Sequence, residues 1–247
     1  MLNPVGTKII AVALAVKRFL AIRTRFNWLR FWLWKRRYGV RPIHNFLVDM
    51  KWGGYCGGLK YSPYAHLGAY VTLSMDYAQL SYLFTHNDLP IHEADVLVDI
   101  GCGKGRVINF WLGRGCHNRI IGIELNEAIA SVTRNRLARY RNVEIITGDA
   151  SQGLPQDGTL FFLFNPFGPE VMKPFVQHLK RLPGARMIYW YCLHLDVIDN
   201  DPWWSVEQLR TGDHKPAVLI RPKAAVTTER DGAVAGARAA GPHDQNN

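Results

Sequence analysis

Two patterns of apolar positions alternate along the middle of the chain, and together they predict strands separated by helices. Five short apolar runs have the length of buried strands, at 96–100, 119–123, 143–146, 159–164 and 185–192. Apolar residues recur at helical spacing over 104–113, 126–140 and 169–182. Strands that alternate with helices in this way predict a mostly parallel sheet with both faces covered.

Two further elements complete the predicted fold. Residues 206–209 and 217–220 are predicted to form a closing antiparallel pair, which brings the sheet to seven strands. A helix is predicted over about 72–84, before Asn87, Asp88 and Pro90 break the apolar spacing. The predicted fold class is therefore α/β: a doubly wound, mostly parallel seven-stranded sheet, preceded by an N-terminal helical basic segment.

Composition divides the 247 residues into three parts. Residues 1–48 form a basic, aromatic-rich segment, and residues 49–222 are predicted to form the folded domain. Residues 223–247 are rich in Ala, Gly and polar residues and cannot offset their ordering entropy by burial, so we expect this tail to be disordered. A glycine-rich stretch at 52–58 is expected to be a flexible loop.

The net charge of +10 belongs to the first of these parts. Residues 1–48 contain ten Lys and Arg and no Asp or Glu, whereas basic and acidic residues balance in the rest of the chain. The basic character of the whole chain is therefore weak evidence for a nucleic-acid substrate. The four cysteines lack CxxC spacing and are expected to be reduced thiols, with no metal site.

A glycine-rich loop follows the first predicted strand and carries the candidate chemistry. It reads Gly101-Cys102-Gly103-Lys104-Gly105, two residues after Asp99. Glycines let the backbone approach a ligand closely, and the free N–H groups of the helix that follows face that ligand. The GxGxG spacing differs from the GxGxxG of dinucleotide-binding proteins. The next strand is followed by Glu124, where a carboxylate can accept hydrogen bonds from ribose hydroxyls.

Over about residues 61–222 the sequence resembles the class I S-adenosylmethionine-dependent methyltransferases. The resemblance rests on the stretches at 98–105, 122–124, 148–150 and 165–167. It implies S-adenosyl-L-methionine as the cofactor, with Asp99 and the glycine loop at its methionine end, Glu124 at its ribose, and Asp149 with Ala150 at its adenine. The cofactor-binding residues that it implies are Tyr61, Asp99, Gly101, Cys102, Gly103, Gly105, Glu124, Leu125, Asp149, Ala150 and Asn165. In similar enzymes a segment at the position of Tyr61 folds over the cofactor; the alternative is that Tyr61 packs on the sheet.

The acceptor side of the site is assigned to the loop Phe164-Asn165-Pro166-Phe167-Gly168, which ends a very apolar strand. This loop is similar to the Asn-Pro-Pro-aromatic loop of amino-methylating enzymes, in which the Asn and a Pro carbonyl bind a planar nitrogen. Phe167 stands where the second proline would be, which leaves the substrate class open. Asn165, Pro166 and Phe167 are the candidate catalytic residues, and the alternative is a turn made by Pro166 and Gly168.

The resemblance implies methyl transfer from S-adenosylmethionine, with a protein lysine or a small-molecule amine as the leading acceptor. This acceptor rests on a broad resemblance to membrane-associated lysine methyltransferases. The alternatives are a nucleic-acid base, which we consider less favoured, or a non-catalytic membrane-associated protein that binds the cofactor. Transfer from a sulfonium depends mainly on alignment, and no residue stands out as a general base.

The basic segment at 1–48 has features of a membrane-surface helix. Its apolar run at 9–16 is too short to span a bilayer. Phe19, Ile22, Phe26, Leu29 and Leu33 recur at helical spacing and are flanked by arginines, which suits an anionic membrane surface. We therefore expect a cytoplasmic protein, peripheral at the inner face of a membrane, whose anchor is not needed for cofactor binding. The alternatives are a helix packed on the core, a cleaved import peptide or an RNA-binding segment.

Overall fold

The structure, a computed structural model, describes residues 41–58 and 74–223. The segment before residue 41, the candidate residue Tyr61 and the tail after residue 223 lie outside the described residues. The apolar stripe from Phe19 to Leu33, on which the prediction of a membrane-surface helix rests, also lies outside the described residues.

The helices and strands of the described residues follow the predicted alternation. The helices are α1 (Arg41–Lys51), α2 (Tyr77–His86), α3 (Arg106–Gly113), α4 (Glu127–Leu137), α5 (Pro169–Leu179) and α6 (Asp196–Asp199). The strands are β1 (Leu97–Ile100), β2 (Ile120–Glu124), β3 (Val143–Thr147), β4 (Leu160–Phe164), β5 (Arg186–Trp190), β6 (Trp204–Gln208) and β7 (Ala217–Pro222).

All seven strands form one sheet in the order β3-β2-β1-β4-β5-β7-β6. Strands β1 to β5 pair in parallel, and β7 pairs antiparallel with both β5 and β6. The predicted doubly wound sheet with its closing antiparallel pair is thereby confirmed. The chain adds strands on one side of β1 and then on the other, so β1 and β4 meet at a topological switch point. In open α/β sheets, ligands bind at the carboxyl ends of the strands beside such a point.

A separate apolar core covers each face of the sheet. On one face, α2, α3 and α4 bury Leu80, Ile108 and Trp111 among others. On the other face, α5 and α6 bury Met172 and Ile198. Complete burial of an apolar side chain of this size stabilises the fold by about 1.5–3 kcal/mol. The two cores hold the central strands rigidly, which fixes the position of the loops at their carboxyl ends.

Three sequence expectations about the N-terminal half differ from the structure. Helix α2 begins at Tyr77 and not near residue 72. Asp76, the residue before it, has extended backbone angles and therefore lies outside the helix. The expected boundary at residue 48 falls within α1. The glycine-rich stretch at 52–58, expected to be flexible, contains the buried residue Cys56, whose N–H donates to the Asp49 carboxylate at 3.0 Å. A hydrogen-bonded, buried residue holds this stretch against the core.

Candidate cofactor and acceptor site

The glycine loop is fastened to the carboxyl end of β2. The N–H groups of Gly101 and Cys102 both donate to the carbonyl oxygen of Ile123, at 2.9 and 3.0 Å. Gly101 has a φ of +69°, and a Cβ on it would lie 2.7 Å from the Cβ of Pro166. Glycine is therefore required for two reasons, the left-handed backbone and the close contact. The contact also brings the cofactor loop and the candidate acceptor loop together.

Glu124 lies at the end of β2 with its carboxylate turned toward the glycine loop. One carboxylate oxygen accepts from the N–H of Gly103 at 2.9 Å, and the other accepts from the N–H of Asn126 at 2.9 Å. Burial raises the pKa of Glu124, and the hydrogen bonds from Asn126 and Gly103 oppose this rise. A carboxylate has about four lone-pair sites, so these two bonds leave capacity for the hydroxyls of a ligand.

Asp99 lies on β1, beside the base of the same loop, and is fully buried. Its Oδ2 atom has no hydrogen-bond partner among the described residues. Burial, with a smaller contribution from the charge of Glu124, raises the pKa of Asp99 well above its usual value. A buried polar atom without a partner is unfavourable and marks a position where a ligand can supply one.

These two carboxyl groups fit S-adenosylmethionine. The cofactor carries an ammonium group and a sulfonium, both positive, and two ribose hydroxyls that can donate hydrogen bonds. Asp99 offers an oxygen that has no hydrogen-bond partner among the described residues. Each carboxylate oxygen of Glu124 accepts one backbone hydrogen bond and can accept another. Two neighbouring carboxyl groups with raised pKa values favour a cationic ligand, because it relieves their mutual repulsion and desolvation.

The candidate adenine residues lie at the end of β3. Asp149 is half-buried, and its Oδ1 accepts from the N–H of Ser151 at 2.8 Å, whereas Ala150 is buried. Asp149 borders a cavity of about 450 Å³ on the face of β2 and β3, whose walls include Ile123 and Ile146. Leu125 is half-buried next to Glu124. The structure thus places the predicted adenine side beside an apolar surface.

Two of the predicted site residues turn their side chains into the apolar cores. Cys102 is buried, and its sulfur is 2.8 Å from the position that a Cβ on Gly122 would take. Only the backbone of Cys102 can therefore face a ligand. Phe167 is also buried, with its ring centroid 5.5 Å from that of Phe175 on α5. Its side chain anchors the acceptor loop to α5.

Asn165 has a hydrogen-bond partner that the sequence did not reveal. The hydroxyl of Tyr189, at the end of β5, donates to Oδ1 of Asn165 at 2.8 Å. The hydroxyl oxygen in turn accepts from the N–H of His194 at 3.4 Å. Because an amide oxygen can only accept, the Tyr189 hydroxyl proton points to Asn165, and the carbonyl oxygen of the Asn165 amide is already engaged.

Backbone strain is concentrated next to this hydrogen bond. Among the described residues, the non-glycine residues with positive φ are Asn165, at +39°, and Tyr191, at +54°. They directly follow β4 and β5, which are neighbours in the sheet. Left-handed backbone in such residues costs of order 1–3 kcal/mol and often occurs at functional sites. The carboxyl ends of β4 and β5 are therefore the candidate acceptor site.

A buried polar network behind the glycine loop was missed by the sequence analysis. Two nitrogens of the Arg106 guanidinium donate to the carboxylate of Asp49. Nε donates to Oδ1 at 3.1 Å, and Nη2 donates to Oδ2 at 2.5 Å. The hydroxyl of Tyr77 donates to the same carboxylate at 2.9 Å. Arg136 on α4 donates to the carbonyl oxygen of Lys104 and to the side chain of Asn109. The network joins α1, α2 and α4 to the first turn of α3.

One sequence signal could have revealed this network. Arg106 and Asn109 interrupt an otherwise apolar stretch that the pattern predicts to be buried. Buried charges require partners, so the pattern implied an acidic residue elsewhere that packs on α3. That residue is Asp49, on the helix that the sequence assigned mostly to the separate basic segment. One alternative to a membrane-surface helix is a helix packed on the core. Residues 41–48 belong to such a helix, whose Asn45 and Asp49 are buried.

The sequence profile of a family described as "Methyltransferase domain" matches residues 97–182. This range runs from the first residue of β1 past the end of α5, and it contains the glycine loop, Glu124, Asp149 and Asn165. None of the curated proteins matches the chain significantly.

Several solved structures are similar to the chain at low identity. TrmN from Thermus thermophilus is 15% identical with a TM-score of 0.48, over 61% of this chain and 49% of that chain. The pyocyanin biosynthetic protein PhzM is 15% identical with a TM-score of 0.45, over 60% and 54% of the two chains. The mitomycin 7-O-methyltransferase MmcR is 16% identical with a TM-score of 0.45, over 60% and 53%. The chain spans about half the length of these structures.

The family match covers the part of the chain that holds the glycine loop and both candidate carboxyl groups. Residues 97–182 therefore match a methyltransferase domain, and the sheet that they help to form has a doubly wound, Rossmann-like strand order. S-adenosyl-L-methionine is the cofactor of such domains. Among the described residues, no three His, Cys, Asp or Glu side chains lie close enough together to hold a metal ion.

Proposed function

We propose that the protein transfers the methyl group of S-adenosylmethionine to an acceptor bound at the carboxyl ends of β4 and β5. The observation that carries this proposal is the unpartnered Oδ2 of Asp99 beside Glu124, at the base of the glycine loop. The loop, Asp99 and Glu124 bind the cofactor. The contact between Gly101 and Pro166 supports an acceptor position directly beside it.

Alignment is the main contribution that this site can make to catalysis. The two apolar cores and the polar network around Arg106 hold the glycine loop, and Phe167 holds the acceptor loop. Fixing donor and acceptor in a reactive geometry can supply about 7–11 kcal/mol of a barrier. A sulfonium donor leaves as a neutral thioether, so a general base is needed only for an acceptor that arrives protonated.

The methyl-transfer proposal is tested with the full chain and methyl-labelled S-adenosylmethionine in a cell extract. Label should pass into one class of molecule, and separating protein, nucleic acid and small molecules identifies that class. Asn165→Ala should reduce transfer more than it weakens cofactor binding. Cofactor binding without transfer to any fraction of the extract would contradict the proposal.

An amine nitrogen is the acceptor that the loop at 164–168 suggests by resemblance. To bind an amine N–H, Asn165 would have to offer its carbonyl oxygen, which accepts from Tyr189 in this structure. Tyr189→Phe removes that competing donor. If an amine is the acceptor, this variant should keep or increase methyl transfer to it. A loss of transfer as large as that of Asn165→Ala would instead show that the Tyr189 hydroxyl positions the amide for another acceptor.

We further propose that the protein associates with anionic membranes through its N-terminal part. Helix α1 is amphipathic with the polar side inward: Asn45 and Asp49 are buried, whereas Ile43, Phe46, Leu47 and Met50 are exposed. These apolar residues are spaced as one helical stripe. The stripe follows a stretch with nine Lys and Arg and no acid before residue 41, which complements anionic lipid. None of the described helices has the length and apolar character needed to cross a bilayer.

Vesicle binding of the full chain tests this association. Phosphatidylserine vesicles should bind the protein, and binding should fall with salt because the attraction fades over a Debye length of about 8 Å. The double variant Phe46→Ser, Leu47→Ser should bind less. Val132→Ser is the matched control, since Val132 is an exposed apolar residue on α4. Equal binding to neutral phosphatidylcholine vesicles would contradict the electrostatic part of the proposal.

A further inference from the structure

Lys215 lies in the connection between β6 and β7, where its ammonium group contacts two aromatic rings. The Nζ atom is 5.6 Å from the ring centroid of Phe164 and 5.6 Å from that of Tyr191. Among the ion pairs of the described residues, none includes Lys215. The side chain is half-buried, so a cation with reduced hydration faces two aromatic rings and forms no ion pair with a carboxylate of the described residues.

The backbone that carries Lys215 is held in place on both sides. The N–H of Lys215 donates to Oδ1 of Asp213 at 3.1 Å. The carbonyl oxygen of the next residue, Pro216, accepts from the N–H of Tyr191 at 2.7 Å. The Asp213 carboxylate also accepts from the side chain of Gln79 on α2. These bonds fix the connection to the end of β5 and to α2, so the backbone from which the Lys215 side chain extends is held in place.

The two rings mark the candidate acceptor site. Phe164 is the last residue of β4 and precedes Asn165, and Tyr191 directly follows β5. Among the described residues, Asn165 and Tyr191 are the two non-glycine residues held in left-handed backbone conformations. Lys215 therefore lies at the same edge of the sheet as the loop that contacts Gly101 of the cofactor site.

We propose that Lys215 binds an anionic group of the methyl acceptor. The proposal rests on the proposed methyl transfer and narrows its substrate to molecules that carry a carboxylate or a phosphate. The half-buried cation gains an ion pair when such a group arrives, and the half-buried ring of Phe164 reduces the exposure of that pair to water. A protein lysine or another purely cationic amine would meet a like charge at this position, whereas a small amine that also carries an anionic group would not.

The test uses the full chain, methyl-labelled S-adenosylmethionine and the small-molecule fraction of a cell extract, with labelled products separated on an anion exchanger. Label should enter molecules that carry a carboxylate or a phosphate, and those with a net negative charge should be retained by the exchanger. Lys215→Met should raise the KM for the labelled acceptor by about tenfold or more. Lys215→Arg, which keeps the charge, should restore most of the loss. The dissociation constant of S-adenosylhomocysteine should be unchanged in both variants, because Lys215 acts on the acceptor alone.

A matched control and a phosphatase step make the outcomes distinct. Lys173→Met removes an exposed lysine of α5 and should leave the KM unchanged. Phosphatase treatment of the labelled product should shift its elution if the anion is a phosphate and leave it in place if it is a carboxylate. Label found only in products that carry neither a carboxylate nor a phosphate, as identified by mass spectrometry of the retained and unretained fractions, or a normal KM in Lys215→Met, would overturn the inference. Cofactor binding without transfer to the protein, nucleic-acid or small-molecule fraction of the extract would instead contradict the proposed methyl transfer.

Discussion

The guanidinium of Arg106 and the carboxylate of Asp49 form a buried, two-contact ion pair across 57 positions of sequence. The pair joins the helix after the glycine loop to α1, whose polar residues face the core. The N–H of Cys56 and the hydroxyl of Tyr77 complete the set of donors around the carboxylate. Part of the N-terminal region is thus a structural support of the cofactor loop.

Breaking this pair should destabilise the domain strongly. Asp49→Ala leaves Arg106 buried without a counter-charge, and removal of one partner of a buried pair costs about 3–5 kcal/mol. Urea unfolding measures the loss. Arg221→Gln is the control, because the Arg221–Glu207 pair is about half exposed on both sides and such pairs contribute about 0–1 kcal/mol. Equal losses in the two variants would show that the buried pair is not important for stability.

Gly101→Ala should impair both the fold and cofactor binding. The new methyl group would force a left-handed alanine, at about 1–2 kcal/mol, and would also displace Pro166. Gly115→Ala provides the control, since Gly115 has a φ of +79° with nothing within 4 Å of the position that a Cβ would take. Gly115→Ala should lose stability only, whereas Gly101→Ala should also lose affinity for S-adenosylhomocysteine in calorimetry. The same affinity in both variants would contradict the close contact of the two loops.

Asp99 should make the cofactor-free protein less stable as the pH rises. Burial raises the pKa of Asp99, so the folded protein retains this proton at pH values where the unfolded chain has lost it. Stability therefore falls from about pH 4, the unfolded value, up to the raised pKa of the folded state. Asp99→Asn should flatten this dependence in urea unfolding and leave the protein at least as stable near neutral pH. It should also weaken binding of S-adenosylhomocysteine, whose ammonium loses its carboxylate partner.

The exposed carboxylate of Asp196 supplies the control for that measurement. Asp196→Asn changes the charge by the same amount without removing a buried group, so the pH dependence of stability should match that of the unaltered protein. An Asp99→Asn variant with an unaltered pH dependence, or with an unaltered affinity for S-adenosylhomocysteine, would remove Asp99 from its proposed role.

Local sequence pattern predicted the sheet and the cofactor loop because both depend on neighbouring residues. The apolar run of β4 and the glycines after β1 each carry their structural signal within a few positions. The orientation of α1 depends on Arg106, which is distant in sequence, and hydrophobic periodicity favours the opposite face of that helix toward the core. The Tyr189–Asn165 hydrogen bond depends equally on the pairing of β4 with β5. Such long-range polar contacts have no local pattern from which to predict them.

Calorimetric titration of the full chain with S-adenosylhomocysteine tests the cofactor site most directly. The site geometry predicts measurable binding, no binding of NAD, and a loss of about 1.5–3 kcal/mol of binding free energy in Glu124→Ala, the usual scale for hydrogen bonds to a charged group. No heat at millimolar cofactor with the folded protein, or tighter binding of NAD than of S-adenosylhomocysteine, would contradict the assignment of Asp99, the glycine loop and Glu124 to this cofactor.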